Sequence, residues 1–203
     1  MSALALLLSL SVFAQRFSPY APAVVRGNVP LKYPWAGGLN APQFSAVDLN
    51  RDGIPDLHVF DREGNVHLTF LSMEKSGKRE YVYAPEYAAG FPRVENWILL
   101  RDFNGDAIQD IFAYSDVNGV DGMVVYTGYY QRDTLAFRRR ELRGPFGLVS
   151  FPLSSGTLTP IYISKVDYPA VDDLDCDGDL DILTFNLAGG YAEFFQNQSV
   201  ERN

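Results

Sequence analysis

Beyond the first fifteen residues the chain has no helical hydrophobic period of useful length. Its apolar positions gather instead into short runs rich in β-branched and aromatic residues. Three of these runs match in length and character: LHVF at 57–60, IFAY at 111–114 and ILTF at 182–185. In an extended strand Leu57 and Val59, Ile111 and Ala113, and Ile182 and Thr184 share one face, while His58 and Phe60, Phe112 and Tyr114, and Leu183 and Phe185 share the other. Both faces are largely apolar, so each run is predicted to be a strand in a sheet covered on both sides. Turn-forming segments come next, DREGN at 61–65, SDVNGVDG at 115–122 and NLAGG at 186–190, and lead into second strands at 66–70, 123–126 and 191–195. Another apolar segment precedes each run, at 44–47, 97–100 and 168–171. Tyr81, Tyr83, Tyr129, Tyr130 and Phe137 lie between the units and leave room for a fourth strand.

The link between the first two strands of every unit is an aspartate-rich nonapeptide: DLNRDGIPD at 48–56, DFNGDAIQD at 102–110 and DLDCDGDLD at 173–181. Each has Asp or Asn at positions 1, 3 and 5 and Asp at position 9. That spacing turns several oxygens into one tight loop, which suits calcium, a hard cation that takes six to eight oxygen ligands. The first loop offers the side chains of Asp48, Asn50, Asp52 and Asp56 and the Ile54 carbonyl. The second offers Asp102, Asn104, Asp106 and Asp110 with the Ile108 carbonyl, and the third Asp173, Asp175, Asp177 and Asp181 with the Asp179 carbonyl. Gly53 and Gly178 occupy position 6, where the chain must turn sharply; Ala107 replaces glycine in the second loop and is expected to strain the turn. Without a cation, the five aspartates of the third loop crowd like charge at high cost. An EF-hand starts in the same way but requires Glu at position 12 and flanking helices. Position 12 here is Val59, Ala113 or Thr184, within apolar strands, so an EF-hand is excluded.

The loops recur 54 and then 71 residues apart, which marks the chain as a repeat array. A unit of strand, aspartate loop, strand, hairpin and strand, with a fourth strand and two apolar faces, is what a β-propeller blade requires. The predicted fold is therefore all-β, with about three blades of an incomplete propeller. A β-sandwich is the rival, but it does not explain why one loop recurs at the same place in each unit. Propellers have roughly four to eight blades. The remaining blades are therefore expected from a longer chain.

The net charge of −8 and the absence of a basic patch argue against a nucleic-acid partner. Twelve of the 25 acidic residues lie in the loops or at adjoining Asp172, and three calcium ions would bring the charge to about −2. The acidity thus reads as ligand chemistry. The apolar run from Ala3 to Ala14 is too short to span a bilayer and fits a secretory signal peptide over 1–14, cleaved before Gln15, with the propeller segment at 15–203. Cys176, the only cysteine, permits no intrachain disulfide and is read as a tolerated free thiol. His58 and His67, the only histidines, are placed for a cross-strand contact and are read as packing groups, since no nucleophile motif accompanies them. Arg138, Arg139, Arg140 and Arg143 read as a solvated strand edge, and Trp35 and Trp97 as filling between blades. Asn197-Gln198-Ser199 matches a glycosylation sequon.

The threefold D-x-[DN]-x-D-[GA]-x-x-D succeeded by [LI]-x-[VAT]-[FY] resembles the FG-GAP/VCBS-like repeats of secreted bacterial proteins, related in loop pattern to integrin α-subunit propellers. The resemblance covers about residues 35–200, and Ala107 and the uneven spacing depart from it. It implies a calcium-stabilised propeller in a secreted or cell-surface protein that binds, adheres or scaffolds without being an enzyme, with an extracellular protein or glycan as ligand. The alternative is the propeller domain of a polysaccharide-active hydrolase or lyase. That reading needs two separated carboxyls across a sugar site, outside the calcium loops.

Overall fold

A computed structural model describes residues 22–35 and 38–199. Contacts divide it into two compact units, with the boundary between Gly37 and Gly38. In the first, β1 (Val25–Arg26) pairs with β2 (Val29–Pro30), and the Trp35 indole donates to the Pro22 carbonyl at 2.8 Å. The segment read as a signal peptide lies outside the described residues.

The second unit is all-β and its sheets are antiparallel. The first sheet is a meander of β3 (Pro42–Val47), β4 (Asp56–Asp61), β5 (Val66–Lys75) and β6 (Lys78–Tyr83). The second repeats it with β7 (Ile98–Arg101), β8 (Asp110–Ser115), β9 (Gly122–Gln131) and β10 (Thr134–Arg139). A hairpin of β11 (Ser150–Pro152) and β12 (Leu158–Pro160) is inserted next. It takes up much of the longer second spacing. The third sheet consists of β13 (Ala170–Asp172), β14 (Asp181–Phe185) and β15 (Ala192–Phe195). Each strand read from the hydrophobic pattern is present. The fourth strand exists as β6 and β10, but Tyr129 and Tyr130, assigned to it from sequence, belong to the long β9. Among the described residues the third sheet has three strands and no sheet closes on itself.

Two apolar layers hold the sheets together. Val47, Leu49 and Phe60 of the first sheet and its loop pack with Ile98, Leu100, Ile111, Ala113 and Val124 of the second. The opposite face of the second sheet, with Trp97, Phe112, Tyr114, Met123 and Val125, packs with Ile161, Ile163, Val171 and Ile182. Period-two alternation is thus used twice over in β8, whose every residue from Asp110 to Tyr114 is buried. The prediction of two covered faces holds for the second sheet. It fails for β14, where Leu183 and Phe185 are 38% and 44% exposed, because no described sheet lies beyond it. The first strands of successive sheets are neighbours. The Gln43 side-chain amide donates to Ile98 O and accepts from Ile98 N, both at 3.1 Å, so it continues the strand's hydrogen bonding across the gap. Arg101 does the same for the next pair, donating to Val171 O at 2.8 Å and meeting Asp172 at 3.3 Å.

His58 and His67 make the expected cross-strand contact, Nε2 to Nδ1 at 2.9 Å, stacked on Phe91. His67 Nε2 lies 3.0 Å from the Pro92 carbonyl, an acceptor only, so it must carry a proton. Its Nδ1 then accepts, His58 Nε2 donates, and buried His58 Nδ1 is left as a lone pair with no partner. Both rings are therefore neutral. Burial pushes His58 down to about 3, helped by the charge that His67 would carry, and burial pushes His67 down to about 4. The unfolded chain binds these protons near pH 6.5, so the stabilisation is complete above that value and is lost as pH falls toward 4. In the chain lacking calcium, the urea midpoint is expected to be flat above about pH 7 and to fall below about 6.5, with a slope approaching 1.4 kcal/mol per pH unit for each histidine. A His58→Leu/His67→Leu variant whose midpoint falls as steeply over that range refutes the assignment.

Candidate metal centres

All three nonapeptides connect the first strand of a sheet to the second, and they adopt one backbone form. The chain is left-handed at positions 4 and 6 in each: Arg51 and Gly53, Gly105 and Ala107, Cys176 and Gly178. The sequence shows the need for glycine at position 6 but not at position 4. The second loop reverses the usual placement, with glycine at 4 and a strained alanine (φ 65°) at 6.

This form lets each position-1 carboxylate collect backbone amides. Asp48 accepts from Asp52 N at 3.2 Å and Gly53 N at 2.9 Å. Asp102 accepts from Asp106 N at 3.2 Å and Ala107 N at 2.8 Å, and Asp173 from Asp177 N and Gly178 N, both at 3.1 Å. Position 5 likewise receives the amide of position 7: Ile54 N to Asp52, Ile108 N to Asp106 and Asp179 N to Asp177, at 2.8–3.0 Å. In the first two loops the position-3 amides of Asn50 and Asn104 bond to Asp52 and Asp106. The side chains of positions 1, 3 and 5 are thereby gathered on one side of the loop backbone by its own amides. In the third loop, where position 3 is also acidic, Asp173, Asp175 and Asp177 each offer a carboxylate oxygen, all within 4.8 Å of one another. An all-oxygen set of this kind fits a hard divalent cation.

The position-9 aspartates, read from sequence as ligands, are 0–1% exposed and reach into the sheet. Asp56 accepts from Leu49 N at 2.9 Å and from Ser72 N at 2.7 Å. Asp110 accepts from Phe103 N at 2.8 Å and Gly128 N at 2.7 Å, and Asp181 from Leu174 N at 3.2 Å and Asn197 N at 2.8 Å. One oxygen of each holds its own loop and the other holds the chain at or beyond the third strand. Burial pushes the Asp56 and Asp110 carboxyls up, and these amides pull them back. Gly128 has no room for a side chain: a Cβ there would lie 2.3 Å from the Gln109 carbonyl.

Neighbouring segments clamp the loops. Tyr130 donates to Asp48 O at 2.9 Å and Leu135 N to Leu49 O at 3.0 Å, tying the first loop to the second sheet. Burial, then the Asp48 charge, push the Tyr130 hydroxyl up to about 12. The third loop is strapped by residues that sequence reasoning missed. Gln196 donates to Asp175 at 2.6 Å and Ser199 Oγ to Asp179 at 2.7 Å. The sequon serine therefore serves the loop. The only signal available was its place shortly after the third strand of its sheet. A cleft of about 830 Å³ is lined by Asp102 and Gly105 of the second loop, Gly178 and Asp179 of the third, and Phe112, Phe151 and Phe195. Cys176 is exposed and free, Trp97 is fully buried, and Arg138 and Arg139 lie exposed on the edge strand β10.

Comparison with protein-family models, with curated proteins and with solved structures gives no match.

Replacing Asp110 with alanine strands two buried amides, each worth about 1–3 kcal/mol. A loss of about 2–4 kcal/mol is expected by urea unfolding in chelator, where metal binding plays no part. A loss below about 0.5 kcal/mol, on the order of an exposed substitution, refutes the staple role. Ala107→Gly removes a left-handed alanine costing about 1–2 kcal/mol and adds unfolded-state entropy of about 0.5–1 kcal/mol. The variant is expected to gain roughly 0.5–1 kcal/mol in the same measurement, and a loss contradicts the strain.

Proposed function

We propose that the chain is an array of FG-GAP/VCBS-like propeller blades, braced by calcium, that acts outside the cell as a non-enzymatic binding or scaffolding module. The observation that carries this reading is the convergence of Asp173, Asp175 and Asp177 within 4.8 Å on a loop whose hydrogen bonding is repeated at 48–56 and 102–110. Four-stranded meanders stacked face to face, with their first strands side by side, further support blades. Calcium neutralises the clustered carboxylates and fixes the loop, and at extracellular concentrations weak sites of about 10⁻⁴–10⁻³ M suffice.

The cleft between the second and third loops is the ligand position we assign. Its aromatic lining and its backbone and side-chain amides suit an extracellular glycan or a protein loop. A binding role is favoured over hydrolysis because both histidines are interior and bonded to each other and to Pro92 O, and the carboxylates of the third loop converge on one cation locus.

Calorimetric melting of the full chain in about 1 mM calcium and in chelator tests the bracing. Binding to the native state alone stabilises by about 0.4–1.4 kcal/mol per site when calcium is one- to tenfold above its dissociation constant, so three loops together are expected to raise the midpoint by at least about 2 °C. Equal midpoints sink the calcium role. A glycan array read with and without chelator, beside a turnover assay on the bound glycans, tests the rest: calcium-dependent capture with no product is expected, and product formation overturns the non-enzymatic reading.

A further inference from the structure

The outer edge of the second sheet carries a charge opposite to that of the chain as a whole. Arg138 and Arg139 end β10, Arg140 and Arg143 follow it, and all four are exposed. They are four of 17 basic residues in a chain of net charge −8. Elsewhere an arginine finds an acid: Arg51 meets Asp133 at 3.4 Å and Arg101 meets Asp172 at 3.3 Å. Among the described residues none of the four forms an ion pair. Arg138 lies over the Tyr129 ring, 5.9 Å from its centre, and Arg139 donates to the Phe146 carbonyl at 3.1 Å. None of these residues lines the cleft at the second and third loops.

Protection of an exposed edge does not account for the cluster. Charge on an edge strand keeps other strands from pairing with it, and one or two residues of either sign suffice. The matching edge of the first sheet, β6, has that charge in mixed sign, with Glu74 opposite Arg79 in register and Glu80 next along the strand. From Thr134 to Arg143 the only acid set against four arginines is Glu141. A strip of one sign attracts a ligand of the other.

The adjoining turn adds a second signal. Phe146 is left-handed at φ 59° and 48% exposed, an outlier for so bulky a residue. Its neighbours hold it there: Gly144 has no room for a Cβ against Ser150 and the Leu148 carbonyl, and Leu148 is fully buried. Strain of this kind collects at binding sites. Tyr129, 39% exposed, lies beside Arg138 on one face of the edge, and Phe146 is tied to Arg139, whose side chain leaves on the other.

Two kinds of anionic chain fit arginine and aromatic groups, a peptide and a glycan. A peptide added as a strand needs open backbone, and β10 offers little. Leu135 N is already bonded to Leu49 O, and Arg140 N turns inward to Val125 O, which leaves the outward groups of Phe137 and Arg139. The arginines, in contrast, extend past the strand and onto both faces. We propose that this edge binds an acidic polysaccharide, with Arg138, Arg140 and Arg143 on its carboxylate or sulfate groups and Tyr129 and Phe146 against its ring faces.

Isothermal titration of the full chain in chelator and low salt tests this, with polygalacturonate, dextran sulfate and neutral dextran as probes. Binding to at least one charged glycan is expected, weakening as salt rises, with none to dextran. The charged probe that binds tells carboxylate from sulfate. Arg138→Gln/Arg140→Gln/Arg143→Gln is expected to weaken binding at least about tenfold, whereas Lys75→Gln/Lys78→Gln at the first sheet's edge changes it less than about twofold. Phe146→Gly is expected to unfold at the same or higher urea concentration and yet to bind about threefold or more weakly. The proposal is overturned if neither charged glycan binds, if dextran binds as well, if both charge variants lose equally, or if Phe146→Gly binds undiminished. Tighter binding of polyglutamate than of either charged glycan also overturns it and makes the occupant an acidic peptide.

Discussion

The structure depends on a buried carboxylate at the start of the second strand of each sheet. A carboxylate costs several kcal/mol to bury unless its oxygens are satisfied, and here each receives one amide from the loop and one from the third strand or just beyond. The bond is local in sequence on one side and about sixteen residues distant on the other. It therefore fixes two things together: the curl of the aspartate loop and its register against the meander. Apolar packing alone cannot do this, because it is tolerant of a shift by two along a strand. The charge-assisted bonds of Asp56, Asp110 and Asp181 are what make the three sheets copies of one geometry.

This explains why the loops were so legible and why part of their chemistry was not. The alternation of LHVF, IFAY and ILTF revealed the strands, and the nonapeptides revealed their spacing, since both signals are short-range. A linear pattern treats every aspartate of the loop as an equivalent ligand, whereas the fold distinguishes them. Positions 1, 3 and 5 stay at the loop, while position 9 turns under the sheet because strand alternation points it there. The left-handed residue at position 4 was equally hidden: Arg51 and Cys176 carry no sign of it, and only Gly105 does. The inserted hairpin β11–β12 and the strap at Gln196 and Ser199 were not legible at all. Their positions are set by contacts with segments distant along the chain.

Polar choices in the layers stem from the same stacking. Trp97 is fully buried and its indole donates to Ser164 O at 3.0 Å, so a ring large enough to fill the layer also satisfies its own polar atom. The histidine pair solves the matching problem in the first layer less completely. Pro92 O orients both rings, yet His58 Nδ1 keeps an unmet lone pair. A layer of this kind tolerates neutral imidazole and rejects imidazolium, which makes the first layer sensitive to acid.

The aspartate loops and the layers are coupled through the chain that joins them. The first loop is held on the second sheet by Tyr130 and Leu135, and Arg101, which leads into the second loop, bonds to β13 of the third sheet. Under the proposed reading, a cation that sets the geometry of one loop therefore sets the junction to the next sheet as well. Calcium then acts on the stack and not only on the loop that binds it. The cleft is lined by residues of both the second and third loops, so under the same reading a ligand bound there would draw on surfaces that hold their shape only while both loops do.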